Sequence, residues 1–209
     1  MGRIITTLVL ERQDKFHHVL ERREVKSRSW LLKLMQFVYI MSGYNSNTLA
    51  NIKDITNINR TLHTLISSNL QVTASPGGAP AIPIGSFPGY VCYVMGENLG
   101  IVVGSGVTAL STADYALATK IDHGRGAGQI LHGGTEVFGL TFTNPNGQFT
   151  IQRYFTNNSG GAITINEIGI YSAGEGQYSF CIYRDLVSPA VVVADTEILL
   201  AQIIPGITV

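Results

Sequence analysis

The residues best placed for chemistry are charged groups inside apolar runs. Glu167 falls in Ile163-Thr164-Ile165-Asn166-Glu167-Ile168, an otherwise alternating strand-like stretch, and Arg153 and Arg184 lie in strand-like runs of their own. A carboxylate taken out of water needs a partner. It could serve as a catalytic acid or base, but no paired-carboxylate motif accompanies it. The expectation is a structural ion pair or hydrogen-bonded clasp, with Glu167 held by Arg184 or Arg153, and no catalytic residue.

Other motifs imitate sites. Gly104-Ser105-Gly106-Val107-Thr108-Ala109 follows an apolar run, and Asp122 lies at about the ribose-binding distance of a dinucleotide fingerprint. That site needs a βαβ unit, whereas the residues after Ile121 read as a Gly-rich loop and antiparallel-type strands, so a tight turn is expected. His123 and His132 could suggest a metal pair, and the loop from Asp122 to Gln129 a phosphate nest. The histidines are nine residues apart, with no Cys and no third ligand at standard spacing. A loop at one end of a sheet is the simpler reading. No Ser-His-Asp order with a nucleophile elbow occurs. Cys92 and Cys181 sit in strand-like runs and read as buried thiols, with a disulfide between them as the alternative. No cofactor, no metal and no enzymatic activity are expected.

The elements that would position these groups fall into three segments. Residues 8–42 contain no Gly or Pro, and Phe16, Val19 and Leu20, then Trp30, Leu31, Leu34, Met35, Phe37, Val38 and Met41, recur at helical spacing. This predicts a charged helix, a break capped by Ser27 or Ser29, and an apolar helix. Residues 44–98 are rich in Asn, Ser and Thr and later in Pro and Gly. They read as an extended arm with short strands near 60–65 and 90–95. Residues 99–209 read as strands at 100–103, 136–143, 148–155, 162–171, 177–184, 190–193 and 197–204, with a short helix at 111–121 capped by Ser111 or Thr112. The resulting fold class is mainly β. A C-terminal antiparallel β-sandwich, jelly-roll-like, spans 99–209, preceded by an N-terminal helical anchor (1–43) and the arm (44–98).

Charge sharpens this reading. Of 209 residues 45% are hydrophobic, but only 13% are charged, about half the usual globular share. Residues 1–40 carry eight basic and four acidic groups, while the other 169 residues carry only 16 charges, with an acidic excess. Net charge is zero, so there is no global basic field for nucleic acid. The most apolar run, from Leu31 to Met41, is too short for a bilayer, which needs about 20 residues. A surface so poor in charge is expected to face other protein. The stripe Trp30, Leu31, Leu34, Met35, Phe37, Val38 and Met41 is the candidate assembly interface.

Three stretches carry a family likeness. Residues 101–121 contain Gly104-Ser105-Gly106 and Asp114-Tyr115-Ala116-Leu117. Residues 153–171 contain a Phe155-to-Gly160 hairpin and Glu167-Ile168-Gly169-Ile170-Tyr171. Residues 181–193 contain Arg184-Asp185 followed by Pro189. In this order they resemble a sandwich domain of structural proteins of tailed bacteriophages, over about half the chain. The resemblance implies a non-enzymatic virion protein, such as a head, decoration or neck component. It would be localised in the virion and assemble as a homo-oligomer, such as a trimer, with other virion proteins, without membrane or nucleic acid. The alternative is a receptor- or carbohydrate-binding module of a tail or head fibre, with Tyr90, Tyr93, Tyr115, Tyr171 and Tyr178 as candidate contacts.

Overall fold

The computed structural model describes residues 3–27, 29–30, 32, 49–63, 98–143, 145–173 and 178–208. All ten elements are strands, and every pairing between them is antiparallel. They are β1 (Arg3–Gln13), β2 (Val19–Ser27), β3 (Leu49–Lys53), β4 (Asn59–His63), β5 (Gly100–Gly104), β6 (Leu131–Thr143), β7 (Asn146–Thr156), β8 (Ile163–Ala173), β9 (Ser179–Val193) and β10 (Ile198–Thr208). One sheet runs β2-β1-β10-β7-β6, a second β5-β8-β9, and β3 and β4 form a two-stranded hairpin.

The N-terminal segment departs from expectation. The charged helix over residues 8–27 is instead the β1–β2 hairpin, and β1 pairs along its whole length with β10. The separate helical anchor over 1–43 therefore does not hold for these residues, which belong to the five-stranded sheet. The reversal uses neither Gly nor Pro. Asp14 Oδ1 accepts from the amides of Phe16 (2.8 Å) and His18 (2.9 Å), and His17 takes a positive φ of 66°. The interleaved charges that imitate helical i,i+4 pairs are cross-strand neighbours, Glu11 opposite Arg22 and Arg12 opposite Glu21.

Alternation sets the core. Leu8 and Leu10 of β1, Ile151 and Phe155 of β7, and Leu199, Ala201 and Ile203 of β10 point one way. They share one buried cluster with Ile101 and Val103 of β5, Ile165, Ile168 and Ile170 of β8, and Val191 and Val193 of β9. Ile52, on β3, enters the same cluster, so the described part of the arm is anchored in the core. The three-stranded sheet is buried on both faces. Its far side holds Val102, Tyr171 and Cys181 under Leu117. That explains why β5 reads as an unbroken apolar run rather than an alternating one.

Two further expectations change. The strands expected at 177–184 and 190–193 give way to one strand, β9, from Ser179 to Val193, whose register against β8 shifts between Ile165 and Glu167 so that residues 187–190 stand against Asn166 alone. Pro189 is tolerated because β9 is an edge strand. Residues 111–121 form turns instead of a helix. Ser111 and Asp114 close one turn, with the Ser111 amide donating to Asp114 Oδ2 (3.0 Å) and the Asp114 amide to Ser111 O (3.0 Å). The amides of Leu117, Ala118 and Thr119, which a helix would need, go to Tyr171 and Glu167.

Candidate functional site

Two of those amides, of Ala118 and Thr119, lead to a buried carboxylate that accepts four hydrogen bonds. Glu167 stands on β8 opposite Gly104 of β5 and is fully buried. Its Oε1 accepts from the amides of Gly106 (3.1 Å) and Thr119 (2.7 Å). Its Oε2 accepts from the Ala118 amide (3.0 Å) and from Arg184 Nε (2.8 Å). Arg184, on β9 and also buried, continues the network through Nη1 to Asp114 Oδ2 (2.6 Å) and Nη2 to Thr108 O (3.0 Å). Burial alone would weaken the Arg184 charge. The Asp114 and Glu167 carboxylates reverse this and hold its pKa above the ordinary arginine value.

The glycines of the apparent nucleotide motif are explained here. A Cβ at Gly104 would come within 2.6 Å of Glu167 Oε1, and one at Gly106 would run into the same oxygen. They are absent side chains that make room for a carboxylate. Tyr171 adds a further tie, its hydroxyl accepting from the Leu117 amide at 2.9 Å, and burial pushes its phenol well above the ordinary value. Residues 105–119 are thus fixed onto the outer side of the three-stranded sheet without any regular secondary structure of their own.

Chemically this is a clasp. Both Glu167 oxygens are occupied by four donors, so no oxygen faces a substrate proton. Of the three residues expected to pair, the structure brings Glu167 and Arg184 together and places Arg153 elsewhere. Arg153 is fully buried on β7. Its Nε donates to Gly133 O (2.7 Å) and its Nη1 to the carbonyls of Leu99 (2.9 Å) and Ile101 (2.7 Å). Burial lowers its pKa to about 10.

Beside Arg153 lies His132, whose ring meets Phe155 edge-on at 5.1 Å and His123 at 5.5 Å. Both of its ring nitrogens are buried without a hydrogen-bond partner. Burial, with Arg153, His123 and Lys120 nearby, lowers its pKa to about 3. His123 Nδ1 accepts from the His132 amide (3.0 Å), so the two histidines are tied through backbone. Among the described residues no group of three His, Cys, Asp or Glu is placed to hold a metal ion, and no helix is long and apolar enough to cross a membrane.

Of the assembly stripe, Leu31, Leu34, Met35, Phe37, Val38 and Met41 lie outside the described residues. Trp30 packs inside the chain. It bridges to Tyr183, their rings 5.1 Å apart, and its Nε1 donates to Thr6 Oγ1 at 2.7 Å. Among the tyrosines proposed as surface contacts, Tyr90 and Tyr93 fall outside the described residues. Tyr171 is buried, which removes it from any surface. Tyr115 and Tyr178 are both exposed, with the Arg60 guanidinium 3.7 Å from the Tyr178 ring centre and Lys53 Nζ 5.9 Å from that of Tyr115. Cys181 is buried, and Cys92 is outside the described residues.

Sequence reasoning missed Asp114, Gly104 and Gly106 as members of the clasp. Their only signal was that a buried Arg–Glu pair on neighbouring strands leaves guanidinium hydrogens and a carboxylate lone pair still to be satisfied. Comparison with protein families, curated proteins and solved structures found no match for this chain.

Proposed function

We propose that this chain is a non-enzymatic structural subunit of a tailed-phage virion, a head, decoration or neck component, built on a β-sandwich of jelly-roll type. One observation carries the reading. The residues of the family likeness that looked like separate motifs converge on one place. Gly104, Gly106, Asp114, Leu117, Glu167, Tyr171 and Arg184 are all members of, or neighbours to, the clasp. Motifs that meet in a saturated structural network fit a protein whose work is holding shape. The low charge of residues 41–209 fits a surface covered by other subunits.

The alternative reading, a receptor- or glycan-binding module of a fibre, draws less support, because Tyr171, one of its candidate contacts, is buried. Size-exclusion chromatography with light scattering on the full chain tests the choice. A defined homo-oligomer is the expected result. A monomer at all concentrations that binds on a glycan array would overturn it in favour of the fibre module. The full chain is required, since a fragment of residues 99–209 would strip β1 from β10 and expose a new sheet edge.

A further inference from the structure

Residues 122–130 form a small lobe ahead of β6, and glycines let it close on itself. Gly124 and Gly126 leave room for the Gln129 side chain, whose Oε1 accepts from the Gly126 amide at 2.9 Å, and Gly128 takes a φ of 76°. The Ile130 amide donates to Asp122 O (3.0 Å) and the Gly124 amide to Ile130 O (3.2 Å). Ile130, at the far end of the lobe, is buried in the same core cluster as Phe155.

The lobe meets β6 through two histidines, and the contact requires both to be uncharged. His123 Nδ1 accepts from the His132 amide at 3.0 Å, so that nitrogen carries no proton. A protonated imidazole is a donor at both nitrogens and would set N–H against N–H. The His132 ring lies 5.5 Å from that of His123, and the residue is only 7% exposed, so a charge there would be buried. Phe155 of β7 meets the ring edge-on, and the charged groups acting on it, Arg153 of β7 and Lys120, are cations. The Ile121 backbone favours a proton on His132 but is outweighed, first by burial and then by these cations and His123. The carboxylate beside His123 in sequence, Asp122, is 65% exposed and pairs with Lys120 at 3.5 Å.

We propose that His123 and His132 form a proton-operated latch: acid releases the 122–130 lobe from β6 and uncovers Ile130 and Phe155 while the sheets remain folded. The hinge lies just before the lobe, where the amides of Thr119 and Ile121 are tied to Glu167 and to Val103 O. With the lobe closed, the His132 pKa is about 3; with it released, the ring titrates near its ordinary value of about 6.5. The lobe is therefore fully held above pH 6.5. Each pH unit below that favours release about tenfold, up to about 100-fold at pH 4.5. A proton on His123 adds to the effect, because it removes the acceptor for the His132 amide.

Amide hydrogen exchange on the full chain, corrected for the intrinsic effect of pH on exchange, tests the latch. Protection of the Gly124, Ile130 and His132 amides is expected to fall about 100-fold between pH 7.5 and 4.5. It should stay below that of the β1–β10 ladder at both pH values and be insensitive to dilute urea, as local opening is. His123→Asn keeps an uncharged acceptor, so the lobe should remain closed at pH 7.5 with only the His132 share of the acid response. Combining it with His132→Phe should remove the response. Lobe protection equal to that of the ladder, which marks a single global event, overturns the latch. So does a lobe that loses no protection in acid, or a loss that survives in the double variant. Should the double variant not fold, the comparison of lobe and ladder in the native chain decides alone.

Discussion

Arg184 and Arg153 are both fully buried in neighbouring sheets, yet they are solvated in opposite ways. Arg184 is held by two carboxylates, which keep its charge favourable despite burial. The described partners of Arg153 are three backbone carbonyls, and burial lowers its pKa to about 10. The first arrangement ties a long irregular loop to a sheet by opposite charge. The second joins the start of β5 and the bulge at Gly133 to β7 through backbone dipoles. Breaking the first strands a charge; breaking the second strands acceptors.

The largest effect is expected at Glu167. Glu167→Ala leaves Arg184 and three amides short of their acceptor, a cost of about 3–5 kcal/mol, which in a chain of this size lowers the melting temperature by about 10 °C. Glu167→Gln should cost about half as much, and a trivial shift for both in thermal melts would refute the clasp. Next comes Arg153→Met, which keeps the apolar stem and leaves carbonyls unpaired. About 3 kcal/mol is expected by denaturant titration, with the 105–119 loop remaining protected from proteolysis, unlike in Glu167→Ala.

Acid separates the regions further, because only the Arg153 side has a buried histidine. The His132 pKa is about 3 in the fold against about 6.5 unfolded, so the neutral ring is favoured by folding. Stability is therefore intact above pH 6.5 and falls as pH drops toward 3, by about 2–3 kcal/mol at pH 4.5. His132→Phe should flatten that part of the stability–pH curve; an unchanged curve would mean that His132 is not buried neutral. The smallest effect is Asp114→Asn, which keeps one acceptor for Arg184 and should cost about 1 kcal/mol in melting experiments.

Much of the strand architecture was legible before the structure. Alternation in residues 149–155 and 163–168 places β7 and β8 because each buries one face at a time, and Glu167 announced itself as a charge in an apolar run. What misled had a physical cause. The β1–β2 hairpin turns on Asp14 and a left-handed His17, neither of which punctuates a sequence as Gly or Pro does, and its apolar residues recur at helical spacing. Residues 111–121 have helix-forming composition, but Glu167 and Tyr171, some 50 residues away, claim the amides that helix would use. Asp114 was illegible for the same reason: its role depends on a guanidinium 70 residues later.

The pairing of β1 with β10 has a consequence for timing. Arg3 is in register with Thr208, so the first strand of the large sheet has its central neighbour some 200 residues further along the chain. At translation rates of about 5–20 residues per second, β1 and its hairpin partner wait roughly 10–40 s for β10. During that wait Leu8 and Leu10 have no sheet to cover them. Ordering of the large sheet thus waits on the synthesis of β10 and has high contact order, and nascent chains of this protein are the form in which chaperone engagement should be sought.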